Sequence, residues 1–307
     1  MIIQTTHLSR DFKKTRAVDG LSLSIARGEL FGLVGPDGAG KTTTLRLLAG
    51  LLDITEGEAT VAGLDLRKAY EAIKPHIGYM AQQFSLYGEL SVLENLHFFA
   101  AIFGVPEAVR DERIERLLRF ASLTEFTDRR AMHLSGGMQK KLALACTLIH
   151  EPEILLLDEP TTGVDPLSRR EFWNILTELH LQGTTILVST PYMDEADRCS
   201  RVGLMYAGKL VTCDTPRAIR AALGGEMIEI RSSAWQKVRE TVAGQKGVRE
   251  TQTYGEALHL LVDDGAKRLK EIEHLLKRQK IPYQSIRVAP VRMEEAFISH
   301  IKHLEEA

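Results

Sequence analysis

Only three cysteines occur in 307 residues, Cys146, Cys199 and Cys213, with no CxxC pair and an odd count. That usage argues against a disulfide framework or a thiolate metal site and fits a reducing compartment. No apolar run approaches the ~18 residues that a membrane-crossing helix needs, and the nearest, Leu96–Val105, is broken by His97. No signal peptide opens the sequence, so any path across a membrane is expected to belong to another polypeptide. Neither sign of charge is in excess: 39 Lys and Arg stand against 41 Asp and Glu, for a net charge of −2. The balance gives no sign of a nucleic-acid-binding tail, and Arg129-Arg130 and Lys140-Lys141 read as solvated helix faces. A chain of 307 residues exceeds one average domain, so two domains are expected.

Against this plain background one string stands out. Gly35-Pro36-Asp37-Gly38-Ala39-Gly40-Lys41-Thr42 fits G-x-x-x-x-G-K-[ST]. It follows the apolar run Leu30–Val34, which reads as a buried strand, and precedes Thr43–Leu52, where Leu45, Leu48 and Leu52 share a helical face. Glycines let such a loop curl around phosphates with its N–H groups inward, and the next helix turns its positive end to the same anion. Lys41 is placed to reach the β- and γ-phosphates and Thr42 to hold Mg²⁺, which makes Gly35 through Thr43 the expected nucleotide cradle. A dinucleotide fingerprint fits less well, because the third glycine is missing after Gly38 and Gly40.

A second string, Ile154–Glu159, is a short apolar run ending in two carboxylates. It reads as a parallel strand covered on both faces, which delivers Asp158 and Glu159 to the ligand-binding end of an open α/β sheet. Asp158 suits an outer contact to Mg²⁺, and Glu159 is placed to polarise a water for attack on a γ-phosphate. Alone, such a pair reads equally as a surface salt-bridge partner. A third string, Leu134-Ser135-Gly136-Gly137, precedes a helix over Met138–Ile149 with Ser135 at the N-cap position. By itself it reads as a cap; its glycines also leave N–H groups open to an anion.

The three strings in this order resemble the ATP-binding cassette (ABC) transporter ATPases over about residues 1–220, and more narrowly the ABC-2 type exporters. The resemblance implies an α/β P-loop NTPase core of the ABC type, with a mixed sheet, an antiparallel β subdomain and a helical subdomain at about 85–150. It also implies ATP and Mg²⁺ as ligands, bound between the P-loop of one cassette and Ser135-Gly136-Gly137 of another. Phe12 matches the aromatic that stacks on adenine, although an aromatic at a strand end is often ordinary packing. Gln82 matches the glutamine that touches Mg²⁺ and links core to helical subdomain. Asp165 matches a loop that crosses to the partner, and can cap the helix that starts at Pro166 as well. Leu86 and Tyr87 fall where a transmembrane partner docks in that family.

One position departs from the pattern. Where the family carries a histidine that contacts the γ-phosphate, this chain has Pro191, in Ser189-Thr190-Pro191-Tyr192-Met193-Asp194-Glu195-Ala196. Proline offers neither a side-chain donor nor a backbone N–H. ATP is still expected to bind, with hydrolysis at this P-loop either slow, by on the order of a hundredfold for one lost donor, or dependent on Glu159 alone. The other histidines offer no substitute that the sequence can place there, and His133 and His150 read as solvated.

Gly224-Gly225 breaks the pattern after Ala222, dividing an expected ATPase domain, 1–222, from an accessory domain, 226–307. The second part reads as strand from Met227, helix Ala234–Ala243, strands Val248–Tyr254 and Ala257–Val262, helix Ala266–Gln279 and strand Tyr283–Ala289. This βαββαβ order suggests a small α+β ferredoxin-like module. A last helix is expected over Glu294–Leu304, and Pro290–Phe297 looks like the closing segment of ABC-2 ATPases. The module either regulates or stabilises a cassette dimer or is a simple C-terminal cap.

The expected function is the ATP-hydrolysing motor of an ABC-2 exporter, with Glu159, Lys41 and Gln82 catalytic and Thr42, Gln82 and Asp158 at the metal. Its expected partners are an ABC-2 permease subunit and a second cassette, identical or different, at the cytoplasmic face of the cell membrane. The competing readings are a soluble ABC ATPase outside transport and an ATP sensor with little catalysis.

Overall fold

The structure, a computed structural model, describes residues 1–306. It divides into two compact units, Met1–Pro216 and a second from Arg217 onward. The division falls earlier than the Ala222 break, because the short helix before Gly224-Gly225 groups with the second unit. Ala307, the last residue of the expected accessory domain, lies outside the described residues.

The first unit opens with β1 (Ile3–Phe12), β2 (Thr15–Ile25) and β3 (Leu30–Val34), followed by α1 (Lys41–Leu48). Next come β4 (Glu56–Val61), β5 (Leu64–Asp65), α2 (Tyr70–Ile73) and β6 (Ile77–Met80). A helical stretch then runs through α3 (Val92–Ile102), α4 (Glu107–Phe120) and α5 (Gly136–Leu148). The unit closes with β7 (Ile154–Asp158), α6 (Pro166–Leu181), β8 (Thr185–Thr190), β9 (Arg201–Tyr206) and β10 (Lys209–Asp214).

Two sheets result. An antiparallel sheet has the order β2-β1-β4-β5, and the larger one runs β10-β9-β3-β8-β7-β6. Within the larger sheet β9, β3, β8, β7 and β6 pair in parallel, and only β10 is antiparallel. Every residue of β3, β7 and β8 is buried, as the continuous apolar runs require of strands covered on both faces. Leu45, Leu47 and Leu48 of α1 close one face with no exposed surface, each contributing about 1.5–3 kcal/mol of apolar burial. In β2 the alternation expected at Leu21, Leu23 and Ile25 holds, with all three buried.

Local signals set the helix starts. Ser91 and Glu94 form a reciprocal capping box before α3, with Ser91 N–H donating to Glu94 Oε2 at 2.7 Å. Ser135 caps α5 by accepting from Met138 N–H at 3.3 Å, and Asp165 caps α6 by accepting from Leu167 and Ser168 N–H. The expected helix Thr43–Leu52 is instead Lys41–Leu48. Gly40, at φ 101° in the left-handed region, lets the turn begin inside the glycine loop.

The second unit contains α7 (Pro216–Ala221, starting at the boundary), β11 (Glu226–Arg231), α8 (Trp235–Val242), β12 (Val248–Tyr254) and β13 (Ala257–Val262). It ends with α9 (Gly265–Arg278), β14 (Ser285–Ala289) and α10 (Met293–Glu306). The sheet order β12-β13-β11-β14, all antiparallel, is that of a ferredoxin-like βαββαβ unit. Ile228, Ile230, Leu258, Leu260 and Val262 face Val238, Val242, Ile272 and Leu276 of the two helices. On the opposite face, buried His259 lies between Glu229 and Glu295, the latter from α10. Among the described residues no helix is long and apolar enough to cross a membrane.

Candidate functional site

The loop between β3 and α1 lies at the carboxyl end of the parallel strands, where β7 and β8 also end. A cleft of about 690 Å³ opens there, of a size that takes a small-molecule ligand. Its wall contains Phe12, Asp37, Gly38, Gly40, Lys41, Thr42, Thr43, Gln82 and Glu159 of the expected set, together with Pro191.

Close packing dictates two glycines of the loop, Gly35 and Gly40. A Cβ on Gly35 would meet the Met205 carbonyl oxygen at 2.2 Å, and one on Gly40 would meet that of Ala17 at 2.4 Å. Gly38, at φ +79°, has open space where a Cβ would stand, and its backbone turns toward the cleft through a conformation costly for other residues. α1 carries no acidic residue in its first turn and no side-chain cap, so its leading N–H groups are left to face an anion.

Lys41 is almost wholly buried, and its ammonium donates to Gly35 O at 2.9 Å and Pro36 O at 3.0 Å. It also lies 3.2 Å from Glu159 Oε1. Glu159 Oε2 accepts from Gln82 Nε2 at 2.8 Å and from Thr162 Oγ1 at 3.2 Å. Glu159 has φ 45°, an uncommon conformation for a residue with a side chain. Its N–H is fixed by Ser189, whose hydroxyl and carbonyl both accept from it.

Asp158 does not line the cleft; it stands behind Thr42, fully buried. Its Oδ1 accepts from Thr42 Oγ1 at 2.9 Å and Ser189 Oγ at 2.8 Å, and its Oδ2 from Tyr79 OH at 3.4 Å. Burial pushes the Tyr79 phenol up, which keeps it a donor. A hydroxyl, a carboxamide and carboxylates form an all-oxygen donor set suited to a hard divalent cation. The loop geometry and the open cleft likewise fit a triphosphate.

Phe12 is 41 % exposed at the rim, with the Arg10 guanidinium 4.9 Å from its ring centroid. Gly35, Pro36 and Ala39 shape the loop from behind without lining the cleft. Ser135, Gly136, Gly137 and Asp165 are not part of the cleft wall and gather on another surface of the same unit. There Gly137 packs so closely on α6 that a Cβ would meet both Cβ and Oγ of Ser168 at 2.6 Å, and Gly136 faces the Gly163 carbonyl.

Three expectations from the sequence are corrected. Lys140 is not a solvated face residue, since its ammonium donates to Gln82 O at 2.5 Å and burial pushes it down. Lys141 pairs with Glu171 at 2.6 Å. His150 is not solvated either: it stacks on Phe103 with ring centroids 3.9 Å apart and bonds the Ile77 carbonyl. The two lysines depart because α5 is covered on nearly every side, and His150, beyond the end of that helix, because the Phe103 ring and the Ile77 carbonyl enclose it. Sequence reasoning also passed over Ala17, Thr162 and Tyr192 in the cleft wall. No spacing rule marks them; Thr162 had as its only signal its place three residues after Glu159.

The ABC transporter family profile matches residues 18–162. The probable multidrug ABC transporter ATP-binding protein YbhF of Escherichia coli strain K12 is 44% identical over 220 residues. That match covers 72% of this chain and 38% of YbhF, so the chain spans well under half the length of this relative. The daunorubicin resistance ATP-binding protein DrrA2 of Streptomyces coeruleorubidus is 32% identical over 309 residues, covering 99% of this chain and 96% of DrrA2. Among solved structures, the ATP-binding cassette MJ0796, a dimer in a post-hydrolysis state with ADP and Pi, aligns with a TM-score of 0.64. It is 27% identical and covers 69% of this chain and 98% of that one. The chain belongs to the ABC transporter family and carries its ATP-binding ATPase cassette.

Proposed function

We propose that this chain is the motor subunit of an ABC-2 type exporter, binding ATP and Mg²⁺ and driving a separate transmembrane permease at the cytoplasmic face of the membrane. The observation that carries the reading is the convergence of Lys41, Glu159 and Gln82 on one cleft, with Asp158 holding Thr42 from behind.

In this reading residues 1–222 form the nucleotide-binding domain, about 85–150 its helical part, and 226–307 an accessory domain. Gly35 through Thr43 cradle the phosphates, Lys41 meets their charge, and Phe12 stacks on the base. Thr42, Gln82 and Asp158 hold Mg²⁺, which when bound neutralises charge on the phosphates. Glu159 orients and deprotonates a water, and its ties to Gln82 and Thr162 set its direction. Ser135, Gly136, Gly137 and Asp165 serve a second cassette, identical or different, whose nucleotide they close over. The dimeric state of the similar cassette MJ0796 supports this arrangement. Leu86 and Tyr87 receive the permease; Tyr87 is 51 % exposed.

Pro191 lines the cleft and brings no donor, so hydrolysis at this P-loop is slow and the chain completes a faster site on an unlike partner. The same residue favours a second reading, an ATP-sensing subunit with little turnover of its own. Turnover of the purified chain with labelled ATP, alone and beside Pro191→His, separates the two. A homodimer with ordinary activity that the substitution leaves unchanged rejects the impaired site. Co-purification with a multi-span membrane protein tests the exporter assignment.

A further inference from the structure

Behind the Pro191–Tyr192 wall lies a carboxylate that plays no part in the chemistry above. Glu195 is 1 % exposed. Its Oε1 accepts from Thr161 Oγ1 at 2.7 Å, Arg169 Nε at 2.6 Å and Trp173 Nε1 at 2.8 Å. Its Oε2 accepts from Thr190 Oγ1, and that hydroxyl in turn accepts from Tyr192 N–H at 3.1 Å. Arg169 reaches on to Asp194, at 3.0 and 3.2 Å, and its guanidinium stands 4.2 Å from the centroid of the Tyr192 ring.

These donors come from three separate pieces of chain. Thr190 ends β8 and precedes Pro191. Thr161 lies between Glu159 and Asp165, on the segment that leads to the partner-facing loop. Arg169 and Trp173 belong to α6, the helix on which Gly137 is packed. A buried carboxylate is costly to desolvate, and four donors, one of them the Arg169 cation, satisfy it without making it a strong source of net stability. Pro191 has no N–H, so the wall is fixed only through its flanking residues.

We propose that Glu195 is a positioning residue that locks the Thr190–Tyr192 wall of the nucleotide cleft to the Thr161–Asp165 segment and α6, so that both loops shift as one body. The inference rests on the nucleotide-site reading and adds the link between the wall and the partner-facing surface. Loosening the link misplaces Glu159 and the wall together, and a 1 Å error of that kind costs up to about a hundredfold in rate.

The test measures amide hydrogen exchange of residues 159–168 and 189–196 in the full chain without nucleotide. ATP turnover and the binding of labelled ATP are measured alongside. Glu195→Ala is expected to speed exchange in both segments together, and to lower kcat about tenfold or more with KM for ATP within about threefold. Glu195→Gln keeps an acceptor for Thr161, Arg169 and Trp173 and is expected to restore most of both. Thr161→Val and Thr190→Val, which remove one donor each, keep the test open if Glu195→Ala does not fold. Each is expected to loosen the other's segment as well as its own, and the double variant to be no worse than the larger single. Exchange confined to each substituted segment, strictly additive effects, or an unchanged kcat in a folded Glu195→Ala chain overturns the proposal. Failure of the wild-type chain to bind labelled ATP instead overturns the nucleotide-site reading, leaving the exchange result to judge the link by itself.

Discussion

The hydroxyl of Thr42 donates to Asp158 Oδ1 at 2.9 Å across 116 positions of sequence. It fastens the start of α1 to the end of β7, and Ser189 adds a second donor to the same oxygen from β8. Asp158→Ala leaves the buried hydroxyl of Ser189 and the half-buried ones of Thr42 and Tyr79 without their acceptor, a loss of about 1–3 kcal/mol for a buried group left unpaired. Denaturant unfolding of the full chain is expected to show that loss, with Asp158→Asn, which keeps an acceptor oxygen, recovering more than half of it. Equal midpoints for wild type and Asp158→Ala contradict the fastening role.

Pro191→His supplies a donor to the cleft. ATP turnover is expected to rise by on the order of a hundredfold while the dissociation constant for ATP changes by less than about threefold. Steady-state kinetics and dialysis of the two chains check this, and a rise in affinity without a rise in turnover contradicts it.

Gly137→Ala places a methyl group against Cβ and Oγ of Ser168, at 2.6 Å from each before relaxation. Overpacking of this order costs about 1–3 kcal/mol. The loss is expected in thermal unfolding, and Ser168→Gly in the same chain is expected to return part of it. An additive double variant speaks against the contact as the cause.

In the second unit, the hydrogen-bonded Arg268 guanidinium holds the Asp263 carboxyl down to about 2. A carboxyl depressed in the folded state adds stability above its unfolded value of about 3.9, and this is lost as pH falls toward the folded value. Exchange protection across α9 is therefore expected to weaken between about pH 4 and 2 in the wild type. Asp263→Asn is expected to be less protected at neutral pH and flatter across that window. Parallel pH profiles in the two chains contradict the linkage.

Much of the cleft was legible because its chemistry is local. Glycine-loop spacing, a buried strand before it and a helix after it define Gly35 through Thr43 without long-range information. The apolar run ending at Asp158 and Glu159 is equally local, and so are the caps at Ser91, Ser135 and Asp165. The division of labour between the two carboxylates was less legible. Asp158 is sealed behind Thr42 while Glu159 turns into the cleft at positive φ, and that difference arises from contacts with Ser189 and Gln82, far along the chain. Lys140 was misread because a helix stripe does not disclose that its polar side is also covered, and His150 because its partners, Phe103 and Ile77, come from distant segments. The βαββαβ succession of the second unit followed from the alternation of elements, whereas the Glu195 hub joins residues that no periodicity connects.

Equilibrium dialysis of labelled ATP against the wild-type chain and Lys41→Ala tests the central claim most directly. Lys41 is buried between Gly35 O, Pro36 O and Glu159, and the account predicts saturable uptake in the wild type that falls at least tenfold in the variant, a loss of about 1.4 kcal/mol or more. No uptake by the wild type, or equal uptake by both folded chains, contradicts it.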